Sequence, residues 1–188
     1  MSPSHPVVRM ERLSLMRSTK GFSLIELLIV VAIILVIAAI AIPNLLQAKI
    51  SANEASAAGT LSALKSAEVT YYTAYPAVGY AADLASLGGP PPCSPSSTTA
   101  CLIDSALSAA TPGSPGRNGF FYQATGIMTG GATINTAFVA ASSPMTVHST
   151  GNHDYCSTND GILRSQMANL ADLPVQTLAA CVAFPVTQ

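Results

Sequence analysis

Charge is scarce in this 188-residue chain: Lys, Arg, Asp and Glu make up 9% of it, as 8 basic and 9 acidic residues. Soluble domains carry about 25%. Without a basic surface a chain cannot neutralise phosphates, which excludes a nucleic-acid-binding domain. A 49% hydrophobic content with a net charge of −1 also excludes intrinsic disorder. Tryptophan is absent and aromatic residues make up 6%. Nucleophile elbows, phosphate loops and paired carboxylates are missing too, so the sequence does not read as an enzyme. The mean hydropathy of +0.44 is high for a wholly soluble protein and low for a polytopic membrane protein. An uneven distribution resolves this, with one very apolar segment attached to a single polar, weakly charged domain. With 13 Gly and 13 Pro, that domain is expected to be rich in loops.

The apolar segment is FSLIELLIVVAIILVIAAIAI, residues 22–42, in which Ser23 and Glu26 are the polar members. Its 21 residues, at about 1.5 Å each, make a helix that matches the ~30 Å hydrocarbon core of a bilayer. The β-branched residues lower helix propensity in water, but a bilayer leaves the backbone no other way to satisfy its polar groups. Arg9, Arg12, Arg17 and Lys20 precede the segment and are half of all the basic residues. By the positive-inside rule residues 1–20 stay in the cytoplasm and the chain after Ile42 is exported. A secretory signal peptide is a poor reading, because its apolar region is shorter and ends at a small-residue cleavage site. Here Pro43-Asn44-Leu45 follows instead.

Glu26 is the informative residue. An unpaired carboxylate in mid-membrane costs roughly 2.5–3.5 kcal/mol on insertion scales, and less near an interface. Either Glu26 lies near the cytoplasmic headgroups, or it meets a positive partner in an apolar setting.

The run Lys20-Gly21-Phe22-Ser23-Leu24-Ile25-Glu26-Leu27 resembles the prepilin signature of type IV pilins and type II secretion pseudopilins. That signature has Gly before the cut, an aromatic residue after it, and Glu four residues beyond the aromatic. The resemblance covers residues 16–75 by motif and the remainder more loosely. It implies cleavage between Gly21 and Phe22 by a membrane prepilin peptidase, and N-methylation of Phe22 by the same enzyme. It further implies that Glu26 neutralises the N-terminal amine of a neighbouring subunit, a pair that is favourable where each charge alone is prohibitive. The 21-residue leader is longer than many in the family, and Met10 or Met16 would serve as alternative starts to Met1. Loss of residues 1–21 removes four basic residues and Glu11, leaving 4 basic against 8 acidic side chains.

Pro43, where the apolar run meets polar residues, is expected to kink the helix. Residues 44–75 continue it as an amphipathic half, with Ile50, Ala57, Leu61, Leu64, Tyr72 and Tyr75 near a 3.6-residue period. Ser51, Glu54, Ser62, Lys65 and Glu68 are expected mostly off that face, and Gly59 is a weak spot. Pro76 and Gly79 close the helix. Tyr71, Tyr72, Tyr75 and Tyr80 form an aromatic cluster, read as packing of the stem against the sheet. Residues 76–118 form a connecting loop region with a short helix within 101–110. From residue 119 strands are expected at 119–125, 132–141, 153–156 and 162–165, with a hairpin-like turn at 157–161. A C-terminal segment, residues 167–188, lies back on the sheet.

Cys93, Cys101, Cys156 and Cys181 all lie in the exported part, where disulfides form. Four cysteines allow three connectivities, of which chain order favours Cys93–Cys101 and Cys156–Cys181. The second resembles the disulfide-bounded loop of many type IV pilins. A zinc site lacks a C-x-x-C pair. His148, His153 and Asp154 suggest a metal, and Asn152, Asp154, Asn159 and Asp160 suggest calcium as in major pseudopilins, but no spacing fits a defined ligand loop. No cofactor is therefore expected.

The resulting expectation is an α+β pilin fold, with a long N-terminal helix packed on a three- to four-stranded antiparallel sheet. Its segments are a cleaved leader (1–21), a transmembrane and filament-core helix (22–43), an amphipathic half (44–75), a connecting region (76–118) and the sheet with its C-terminal segment (119–188). The resemblance implies a structural subunit, a major pilin, serving adhesion, twitching motility or DNA uptake. Its partners would be copies of itself, the prepilin peptidase, an assembly ATPase and an inner-membrane platform. It would be stored as a single-pass inner-membrane protein with its C-terminal domain in the periplasm, then assembled into an extracellular pilus. The alternatives are a type II secretion pseudopilin, or an enzyme or receptor domain on a permanent anchor.

Overall fold

A computed structural model of the chain describes residues 21–169 and 173–187. Arg9, Arg12, Arg17, Lys20 and the start positions Met1, Met10 and Met16 lie outside the described residues. The chain divides into two compact units, Met1–Ala41 and Ile42–Gln188. Helix α1 (Leu24–Ala74) contributes to both.

In the first unit, α1 starts on Ser23, whose carbonyl accepts from the N–H of Glu26 at 3.1 Å and of Leu27 at 3.2 Å. Glu26 stands in the first turn, where a carboxylate complements the unpaired N–H groups. Large apolar side chains from Phe22 to Ile37 are between 46% and 85% exposed, so this stretch has no core within the chain.

The second unit begins inside α1. Pro43 lies within the helix and not at its end. Beyond it the buried positions are Ile50, Ala57, Leu61, Leu64, Ala67, Glu68 and Tyr71, a single stripe at helical spacing. This corrects the sequence reading in two places. Tyr72, expected on the buried face, is exposed, and Tyr75 is only half-buried. Glu68, expected off that face, is completely buried. A one-residue step along a helix turns the side chain by about 100°, so Tyr71 points inward and Tyr72 does not. α1 ends where Tyr75 N–H reaches Tyr71 O at 2.9 Å. Gly79 follows with φ +87°, and a Cβ there would lie 2.1 Å from Asn135 O, so this close crossing requires glycine.

The connecting region contains two single-turn helices, α2 (Leu84–Leu87) and α3 (Ser105–Ser108). Asp83 caps the first by accepting from Ser86 N–H, and Asp104 caps the second by accepting from Leu107 N–H. The helix expected within 101–110 is thus four residues long, and α2 carries too few residues to show a period.

The sheet has four antiparallel strands in the order β1 (Phe120–Ile127), β2 (Ala137–Pro144), β3 (His153–Thr158) and β4 (Leu163–Met167). β2 begins and ends later than the expected run at 132–141. Its register is set by β1, which pairs Phe120 with Pro144 and Ile127 with Ala137. The β-branched Thr133 and Ile134 are used in the bend before it, and Ser142 and Ser143 are drawn into the strand by pairing rather than by propensity. β2 is buried along its whole length. One face carries Phe138 and Ala140 into the core with Leu61, Leu64, Tyr71, Phe120 and Tyr122. The other carries Val139 and Ala141 into a second cluster with Cys156, Cys181 and Phe184. Helix α4 (Leu178–Val182), unforeseen in the sequence, covers that second face. The chain end pairs with β4 through Ser165 N–H to Pro185 O at 3.0 Å and Thr187 N–H to Leu163 O at 3.1 Å, which closes an otherwise open edge. The structure is therefore α+β, with the stem of α1 laid on one face of a four-stranded antiparallel sheet.

Candidate functional site

Two parts of the molecule carry candidate functional residues. The first is the N-terminal segment. Gly21, Phe22 and Ser23 precede the helix, and all three are exposed. A Cβ built on Gly21 meets nothing within 4 Å, so no contact in this fold requires glycine there. Phe22 is 85% exposed and Glu26 is exposed one turn into α1. The arrangement presents a non-helical peptide bond next to an apolar helix with a single carboxylate near its start. The stretch from Leu24 meets the length and apolarity needed to cross a membrane, with none of its most apolar window buried.

The second part is the stem of α1 under the sheet, where the polar residues act as clasps. Asn53 Nδ2 donates to Thr150 O at 2.9 Å. Glu54 Oε1 accepts from Asn152 N–H at 2.6 Å and lies 3.1 Å from His153 Nδ1. Lys65 Nζ donates to Gly161 O at 3.1 Å. Glu54 and Lys65 are expected off the buried face, yet with Asn53 they fix turns that join two strands. Glu68 differs from them. Its Oε2 accepts from Ala81 N–H at 2.9 Å, its Oε1 has no partner, and burial pushes its carboxyl up to about 8.

The tyrosines meet pairwise. Tyr71 and Tyr75 have ring centroids 4.8 Å apart, as do Tyr72 and Tyr80, and Tyr80 lies 4.9 Å from Phe138 of β2. These contacts pack the top of the stem against the sheet.

The cysteines form two disulfides, Cys93–Cys101 and Cys156–Cys181. The first closes a small ring in the connecting region; the second ties β3 to α4 inside the second core cluster.

Four of the candidate metal-binding residues have other partners. His148 Nδ1 contacts Asn152 Oδ1 at 3.1 Å, His153 contacts Glu54, and Asp160 is paired with the buried Arg164. The Arg164 guanidinium holds the Asp160 carboxyl down to about 2, helped by the Ile162 N–H. Among the described residues no group of three or more His, Cys, Asp or Glu side chains gathers at one point.

Comparison with known proteins falls on the first part. Residues 16–42 match the prokaryotic N-terminal methylation motif family. Over 39 residues the chain is 64% identical to the type IV wide pilus major component PilA4 of Thermus thermophilus. That alignment covers 21% of this chain and 30% of the relative. No solved structure matches the chain. The chain thus carries the methylation motif at residues 16–42 and over a short stretch is similar to a type IV pilus component, while its second unit lays a helix on a four-stranded antiparallel sheet.

Proposed function

We propose that this chain is the major structural subunit of a type IV pilus and polymerises through residues 22–42. The observation that carries this reading is the exposed apolar stretch of α1 with Glu26 as its one charge, inside the matched motif. Such a surface is stable in lipid or among copies of itself, but not in water. The similar segment of PilA4 belongs to a protein described as a major pilus component, which favours the filament over a lone anchor.

In this reading a prepilin peptidase cuts between Gly21 and Phe22 on the cytoplasmic side and methylates the new amine of Phe22. The basic leader, which pins the helix end in the cytoplasm, is lost, and a cation remains at Phe22. An assembly ATPase and an inner-membrane platform then move the subunit from the inner membrane, where its second unit faces the periplasm, into the filament. Glu26 pairs with the Phe22 amine of a neighbouring copy, so only staggers that bring the two together are allowed. Pro43, which has no N–H to give the helix, is the place where the segment loosens on assembly.

The test is mass analysis of the subunit in sheared surface filaments, joined to Glu26→Ala. A mature chain beginning at methylated Phe22 is expected, with Glu26→Ala cut normally but giving few filaments. An uncut chain, or a normal filament yield from Glu26→Ala, would refute the assignment.

A further inference from the structure

Glu68 has no part in that assembly reading, and its setting is unlike that of the other charged side chains on the stem. Glu54 accepts from a backbone N–H and meets His153, and Lys65 is spent on Gly161 O. Glu68 is fully buried and bonded to Ala81, and its stem neighbours Leu64, Ala67 and Tyr71 share an apolar cluster with Ala81, Leu84 and Phe138. Among the described residues no Lys, Arg or His forms an ion pair with it. The titratable groups that face it are Tyr71 on its own helix and Tyr80 on the segment, with Asp83 and Tyr75 beyond; none is a cation. β1 and β2 bring no charged residue at all. A carboxylate in that place would keep one backbone hydrogen bond and lose its water.

The segment above Glu68 is held from both sides. Ala81 N–H donates to Glu68, while Gly126 N–H reaches Ala82 O at 3.2 Å and Asn135 Nδ2 reaches Tyr80 O at 2.9 Å. Removal of the Glu68 contact would leave its bonds to Gly126 of β1 and to Asn135 of the β1–β2 connection as its ties. We propose that Glu68 is a proton-operated latch: when neutral, its carboxyl fastens residues 79–83 to the stem, and loss of its proton to solvent base releases them. The consequence is a head whose stem-side segment is closed in acidic and neutral water and loosened in alkaline water, whether or not the chain polymerises.

Linkage makes this quantitative. A group that holds its proton up to about 8 when buried, against an ordinary 4.5 when solvated, binds more protons in the closed state. Between those limits the opening constant rises about tenfold per pH unit, and it is flat below and above them. The test is hydrogen exchange of the full chain in detergent micelles, with protection factors corrected for intrinsic rates, from pH 5 to 9. The Ala81 amide is expected to lose about tenfold protection per unit up to about pH 8 and to stay well below Val139 and Ala140 in β2, which exchange through opening of the whole unit. In Glu68→Gln, which keeps an acceptor for Ala81 and cannot ionise, that slope is expected to vanish. A flat Ala81 profile in the natural chain would overturn the latch, and this arm decides even if the variant fails to fold. So would an undiminished slope in Glu68→Gln, or protection at Ala81 equal to that at Val139 throughout, since the whole unit would then be opening.

Discussion

The two stretches of α1 differ in how much apolar side chain they carry, and they are used in opposite ways. From Leu24 to Ile37 the large apolar residues stand exposed, while from Ile50 to Tyr71 one stripe is buried and the rest is not. The first stretch is apolar on all sides, so no single partner face within one chain could cover it. The second is apolar on one side and polar on the other, and the polar residues are themselves employed: Asn53, Glu54 and Lys65 hold the turns of the sheet. The difference separates a surface that folds the second unit from a surface that finds no partner in the chain.

The comparison breaks most sharply under truncation of one leucine or isoleucine in each stretch. Leu61 is completely buried, and Leu61→Ala is expected to cost ~2–5 kcal/mol of stability through lost burial and a residual cavity. Ile33 is 56% exposed, and Ile33→Ala is expected to leave the unfolding of the second unit unchanged. The readout is selective, because Trp is absent and all six Tyr lie after residue 70, so near-ultraviolet tyrosine dichroism reports the second unit alone. Equal effects of the two substitutions would remove the distinction. A smaller contrast divides the disulfides. Replacing Cys156 and Cys181, which close a separation of 25 residues, is expected to cost about 3.5 kcal/mol on the loop-entropy model. Replacing Cys93 and Cys101, with a separation of 8, should cost about 2.5 kcal/mol on the same model. Denaturant midpoints of the two double-serine variants check the order.

The sequence reveals the first stretch more fully than the second, and the reason is physical. An apolar helix with one carboxylate behind a Gly-aromatic pair is a local pattern, readable without knowing what lies opposite it. Four strands are likewise legible, because alternation and turn residues are local too. The burial of Glu68 is not local: it depends on residues 79–83 crossing over the stem, which Gly79 permits by its close approach to Asn135 and Gly126 by its close approach to Ala81 O. The displaced start of β2 has the same origin, since its register is dictated by β1 and the β-branched residues before it are spent in a bend. α2 and α3 are set by single capping aspartates, Asp83 and Asp104, and are too short for periodicity. Helix α4 is five residues long and is held by Thr177 and by Cys181. The roles of Asn53, Glu54 and Lys65 on the stem are not legible either, because a clasp to a distant backbone group has no sequence signature.

The finest distinction within the second unit is between its two anomalous carboxyls, and pH separates them. Glu68 holds its proton more tightly when folded than when solvated, so its burial weakens the fold as pH rises from about 4.5 toward about 8. Asp160 is the reverse case. Paired with Arg164, it binds its proton less tightly in the folded chain, from an ordinary 3.8 down to about 2. Its contribution is therefore fully present above about pH 4 and is lost as pH falls toward 2. The Asp160 side chain is 36% exposed, and water screens the pair, so the effect is the smallest of those predicted here. Asp160→Asn is expected to flatten the acid limb of the melting temperature below pH 4 and to leave the alkaline limb as it was. Glu68→Gln is expected to do the opposite. If Asp160→Asn instead altered the alkaline limb, the two carboxyls would share one electrostatic environment, and the apolar seal around Glu68 would not be as complete as its burial indicates.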